Sequence, residues 1–233
     1  MGIFIRCEWM APAAFTVDAR VAEVAGVVRQ ICTHGPYASR WFLQGGSRKE
    51  ALSKGVDLDA LSTKKKPWRR VSLIEGEGYY SLSMWDGRDD LESTGLSVDV
   101  YDPETTPNML LLSGPSIDAF RARVPSWSDV LELTRSVAVR LGGVAIVGTD
   151  ELWAYTQARA MPNAFFAAHA AFWEPDRSGR SPVYGPLRDA GLAAPCSLVA
   201  SRSWDEVIEP SRTPEGPLLE SMRLLARPDA TES

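Results

Sequence analysis

Histidine is nearly absent from this sequence: among 233 residues only His34 and His169 carry an imidazole. A Ser-His-Asp or Cys-His site would have to be built around one of these two. Cysteine is equally sparse. Cys7, Cys32 and Cys196 lie far apart and form no C-x-x-C pair, which argues against a disulfide framework and reads as reduced thiols. Cys32-x-His34 places two metal-ligating types together, but zinc needs three or four, and no second pair stands at suitable spacing. His34 therefore reads as a helix-end residue beside a buried cysteine, and His169, in an alanine- and phenylalanine-rich stretch, as a packed or surface one. No G-x-S-x-G elbow, G-x-x-x-x-G-K-[ST] loop or G-x-G-x-x-G turn occurs. Long apolar runs are missing too. The uncharged stretch 163–173 falls short of the roughly 20 residues that a membrane helix needs.

The opening MGIFIRCEWMAPAAF has no basic leader region, and Arg6 and Glu8 interrupt its apolar run. It reads as a first strand and not as a signal peptide, and Arg6 stands where a myristoylation signal has a hydroxyl. The expectation is a soluble cytoplasmic protein with no membrane partner. Excess positive charge is also lacking. Twenty-five bases against 30 acids leave a net charge of −5, which disfavours a generic nucleic-acid binder.

What is present is ordinary globular material. Hydrophobic residues make up 45% and charged residues 24%, and the length suits one large domain or two small ones. Residues 3–9 alternate as a strand. From Val17 to Cys32 the apolar period lengthens, with Val17, Val21, Val24, Val28 and Ile31 forming a helical stripe behind Thr16 as N-cap. Ser47-Arg48-Lys49-Glu50 is a capping box, predicting a short helix over 48–54. Residues 62–78 are polar, basic and broken by Pro67, Gly76 and Gly78, and read as a loop. Runs 79–85, 96–101 and 108–112 read as strands, and with no helix between them they must be antiparallel neighbours. The stretch 113–125 is the most natural internal seam in a chain otherwise read as one domain. Ser126 then opens a helix that Gly142-Gly143 closes. Residues 144–147 are a buried strand, 151–160 a helix, 163–173 a helix or strand, 196–200 a strand and 218–226 a closing helix. The predicted class is α+β, an antiparallel sheet packed against several helices.

Charge is informative in its distribution. Residues 64–70, Lys-Lys-Lys-Pro-Trp-Arg-Arg, put five positive charges in seven positions. Such a run with Trp68 in it can grip phosphates, though a solvated loop is the commoner reading. Glu50 and Lys54 echo a nuclease carboxylate–lysine pair and read more simply as an i,i+4 ion pair. The opposite cluster spans 86–104, where Asp86, Asp89, Asp90, Glu92, Asp99, Asp102 and Glu104 face a single base, Arg88. Alternation puts Tyr80, Leu82 and Met84 on one sheet face and Ser81, Ser83 and Trp85 on the other. In the next strand Leu96, Val98 and Val100 oppose Ser97, Asp99 and Tyr101. The candidate partner-binding set is Trp85, Asp86, Asp89, Asp90, Glu92, Asp99, Tyr101 and Asp102, an acidic aromatic surface able to steer and hold a basic protein. A solubilising sheet face with charged turns is the plainer alternative.

The stretch from Arg40 through Trp41, Phe42, Gly45, Gly46, Ser47, Arg48, Lys49, Glu50, Ala51 and Leu52 resembles the immunity protein 52 family of bacterial polymorphic toxin systems. An N-terminal strand ending in Trp9, a helix, this stretch, the run Gly78 to Gly87, a strand pair and the helix from Ser126 follow the family's order to about residue 155. The resemblance implies an antidote of polymorphic toxin and type VI secretion systems. Such a protein binds and neutralises a cognate toxin, often a restriction-endonuclease-like nuclease, without a cofactor, a metal or catalytic residues of its own. No family site is carried onto this chain. Ser47 and Glu50 already have a capping role, and Trp41 and Phe42 read as core anchors. The competing readings are a small-molecule hydrolase with a pocket near Trp153, Tyr155 or His169, and a nucleic-acid adaptor using residues 64–70.

Overall fold

A computed structural model describes residues 2–10, 15–33, 37, 39–43, 47–63, 67–72, 78–89, 92–101, 106–114, 116–158, 168–173, 197–199 and 201–208. The predicted residues Asp90 and Asp102, and the predicted helix at 218–226, lie outside that set. The described strands are β1 (Ile3–Trp9), β2 (Phe42–Leu43), β3 (Arg69–Ser72), β4 (Gly78–Trp85), β5 (Gly95–Tyr101), β6 (Asn108–Gly114), β7 (Val144–Thr149), β8 (Ala170–Trp173) and β9 (Ser197–Val199). They form one sheet in the order β2-β4-β5-β6-β1-β7-β8-β9, with β3 also on β4. Every pairing is antiparallel. The described helices are α1 (Val17–Thr33), α2 (Arg48–Leu52), α3 (Ile117–Arg123), α4 (Trp127–Leu141), α5 (Asp150–Ala158) and α6 (Trp204–Ile208). The class is α+β.

Period-two burial on the strands and three-to-four-residue burial on the helices meet in one core. Ile3, Ile5, Cys7 and Trp9 of β1 are each at most 1% exposed. They join Leu82, Met84, Leu96, Val98, Val100, Leu110 and Leu112 beneath Val21, Val24, Val28 and Ile31 of α1 and Val130, Val137 and Leu141 of α4. The Thr16 hydroxyl accepts the Ala19 amide at 3.3 Å, and the Ser47 hydroxyl accepts the Glu50 amide at 3.2 Å. These bonds satisfy backbone donors that a first helical turn leaves orphaned. Glu50 sends its carboxylate to Lys54, the i,i+4 pair that the spacing allowed. At the end of α4 Gly142 adopts φ +61°, and the Gly143 amide bonds back to the Ala138 carbonyl at 3.0 Å, a left-handed cap that favours glycine.

Three expectations need correction. Residues 69–72 are strand β3 and not loop, because the edge of β4 supplies backbone partners and Pro67, which has no N–H to donate, falls just before the pairing begins. Helix α2 stops at Leu52, where Ser53 caps it through its amide to Glu50 and Ala51 carbonyls. The stretch 113–125 holds the end of β6 and helix α3, whose Ile117 and Phe120 are in the same core as the rest. Helix α6 and a single 3-10 turn at Asp59–Ser62 were not read from the sequence.

Candidate protein-binding face

The strands that give one face to the helices turn a second face outward. Registers align this second face into rows. Arg69, Ser81, Asp99, Met109 and Glu8 form one row, and Ser83, Ser97, Leu111 and Arg6 the next. Their side chains are half-buried, except the exposed Arg69, whereas the helix-facing residues of β4, β5, β6 and β1 are sealed apart from the half-buried Tyr80. Toward β7 and β8 the outer face closes, with Val144, Ile146, Ala171 and Trp173 all buried. The open part thus belongs to β1, β3, β4, β5 and β6.

Tyr101 is the best-positioned residue of that face. Its amide donates to Asn108 Oδ1 at 2.9 Å, and its carbonyl accepts from buried Arg20 of α1 at 3.0 Å. Asn108 in turn donates to the Trp9 carbonyl at 3.4 Å. The end of β5 is therefore held from the helix layer and from the central strand. The Tyr101 ring stacks on Tyr79 with centroids 4.9 Å apart, a cross-strand aromatic pair whose members are both half-buried. Its hydroxyl is raised from the usual value by partial burial, then by the neighbouring Asp99, Tyr79 and Glu8. The two carboxylates thus lie near the stack, on rows that also carry Arg69 and Arg6. Glu8 is itself paired to Arg6. Tyr79, Glu8, Met109 and Leu111 were missed in the sequence. Strand parity would have found Tyr79, but the placement of β1 beside β6 is a long-range pairing that local alternation does not encode.

The six predicted contact residues that are described do not form one patch. Asp99 and Tyr101 belong to the row system around the tyrosine stack. Trp85, Asp86, Asp89 and Glu92 lie at the opposite end of the β4–β5 hairpin, and the six residue steps from Tyr79 to Trp85 span about 20 Å. Trp85 is half-buried against Phe42 at 6.1 Å between ring centroids. Asp89 is exposed and paired with exposed Arg48 at 2.7 Å, a contact worth little to stability. Glu92 is exposed.

Asp86 must be withdrawn from the contact set. Its side chain is 0% exposed and paired with Arg123, whose side chain is 6% exposed. One Asp86 oxygen accepts the Thr94 amide at 3.1 Å and the Arg88 amide at 3.3 Å. Arg123 also donates to the Thr94 hydroxyl at 3.2 Å and lies 5.2 Å from the Tyr37 ring centre. A carboxylate so enclosed shapes the loop from β4 to β5 and cannot meet a partner.

His169 and Ser201 share a 2.8 Å hydrogen bond, but they are 0% and 1% exposed. Burial pushes the His169 imidazole down to about 3, and Trp127 packs edge-on against it at 6.4 Å. Trp153 is at the surface of α5, and the Tyr155 side chain lies outside the described set. Trp68 is buried, with its indole N–H on the Leu61 carbonyl at 2.8 Å, so its ring is not free to stack on bases. Arg69 and Arg70 are exposed on β3, and residues 64–66 lie outside the described set. Among the described residues no group of three or more His, Cys, Asp or Glu stands ready for a metal, and no helix is long and apolar enough to cross a membrane. No protein-family model matches this chain, and no curated protein matches its sequence.

Proposed function

We propose that this chain is an immunity protein that binds and neutralises a cognate bacterial toxin by direct protein–protein contact, within the cytoplasm of the cell it protects. One structural observation carries the reading: the held Tyr79–Tyr101 stack, flanked by Asp99 and Glu8 on the part of the sheet that is not sealed. Tyrosine supplies a large contact area at small entropic cost, and anchors of this kind dominate interface energetics. Acids around an aromatic anchor favour a basic partner and speed its approach. A nuclease of the restriction-endonuclease-like type, the toxin class that the family resemblance implies, is such a partner, because a surface that grips phosphates carries excess Lys and Arg. The reading assigns no catalysis and no cofactor to this chain.

The test is size-exclusion chromatography and biosensor kinetics with the toxin C-terminal domain encoded beside this gene. A stoichiometric complex whose dissociation accelerates in Tyr101→Ala supports the proposal. A folded protein that forms no complex would refute it.

A further inference from the structure

We propose that the cleft between β2 and β3 is a binding site for a small organic anion with an apolar body. Both short strands pair with the same edge of β4, β3 over Gly78 to Ser81 and β2 over Met84 and Trp85, so they cannot meet each other. The gap between them is a chamber of 660 Å³, within the range of small-molecule sites. Its apolar wall is made by Leu43, Val56, Pro67 and Trp68. Leu43, Pro67 and Arg69 also line an adjoining recess of 200 Å³, completed by Val71, Ser81 and Ser83. The shared residues make chamber and recess one groove, apolar in the body and hydroxyl- and guanidinium-lined at one end.

The charges settle which end holds the anion. In the chamber Lys54 is already paired with Glu50, and Asp57 opposes an anion. In the recess the side chains of Arg69, Ser81 and Ser83 have no ion-pair or hydrogen-bond partner among the described residues. A guanidinium beside two hydroxyls is a donor set for a carboxylate, sulfonate or phosphate. Asp99, across from Ser81 on β5, opposes a second negative charge there. The inference does not rest on the immunity reading, although Arg69, Ser81 and Ser83 belong to the same sheet face.

The probe is 8-anilinonaphthalene-1-sulfonate, an apolar body with one anionic group, compared with N-phenyl-1-naphthylamine, which lacks the sulfonate. Fluorescence titration of the whole folded protein should show one saturable site that favours the anionic probe by about tenfold or more, the scale of a charge-assisted hydrogen bond. Arg69→Glu, an exposed change, should abolish that preference. Ala60→Trp, which fills the chamber without altering charge, should weaken both probes. Circular dichroism establishes that each variant is folded. Absence of saturable binding, equal affinity for the two probes, or affinity unchanged by either substitution overturns the proposal.

Discussion

Asp86 and His169 are buried polar groups with defined surroundings, and their removal has calculable consequences. In Asp86→Ala the Arg123 guanidinium is left charged in a site that is nearly sealed. Breaking a buried pair from one side costs about 3–5 kcal/mol, so urea unfolding of this variant should show a loss on that scale. His169 makes a second residue-level prediction, in pH. Its imidazole is lowered to about 3 by burial, below the unfolded value of about 6.5. The folded chain therefore keeps His169 neutral where the unfolded chain takes up a proton. Its contribution is present above about pH 6.5 and is lost as pH falls toward 3, amounting to about 2 kcal/mol by pH 5. Denaturation curves of the wild type and His169→Gln at pH 7 and pH 5 should differ by that slope, shallower in the variant. The thiols are a third case. Cys32 is pushed up to about 12 by burial, against the lowering effect of Arg123, and Cys7 is raised still further by burial and then by Glu8. Both should resist alkylation in the folded state, because the thiolate is the reactive species.

Elements were legible where a single local signal decided them. The apolar stripe from Val21 to Ile31 marks α1, and the Gly142 stop marks the end of α4. That cap carries a direct prediction: Gly142 sits at φ +61°, and Gly142→Ala should cost about 1–2 kcal/mol in chemical denaturation, the penalty for a Cβ in left-handed backbone. Strand β3 was hidden because its sequence is charged and short, and only the waiting edge of β4 makes it a strand. Charged side chains on an edge strand are what restrains promiscuous pairing, so the signal that suggested a loop is also the one that suits an edge. Helix α6 was hidden for another reason. Its Trp204 donates to the Val124 carbonyl at 3.1 Å and packs on Trp127 at 5.0 Å, contacts that depend on a distant part of the chain. The site divides in the same way. Alternation placed Asp99 and Tyr101 on one face and Val98 and Val100 on the other, as found. It could not reveal that Asp86 turns inward to Arg123, which lies 37 positions later.

At the scale of the whole molecule, one sheet is closed by helices over one face and leaves part of the other to solvent. We propose this open part, centred on Tyr79, Tyr101 and Asp99, as the surface that meets a toxin. Asp99→Lys should slow association and flatten its dependence on salt, since steering by charge at the face is what salt screens. Tyr101→Ala should act instead on dissociation, by about 2 kcal/mol if the stack is an anchor. The most direct test is survival of cells co-expressing the neighbouring toxin domain with this protein or with Tyr79→Ala/Tyr101→Ala. Rescue by the wild type and loss of rescue by the double variant, at equal folded abundance, are expected. No rescue by the abundant folded wild type would contradict the immunity role, and full rescue by the double variant would contradict this face as its site.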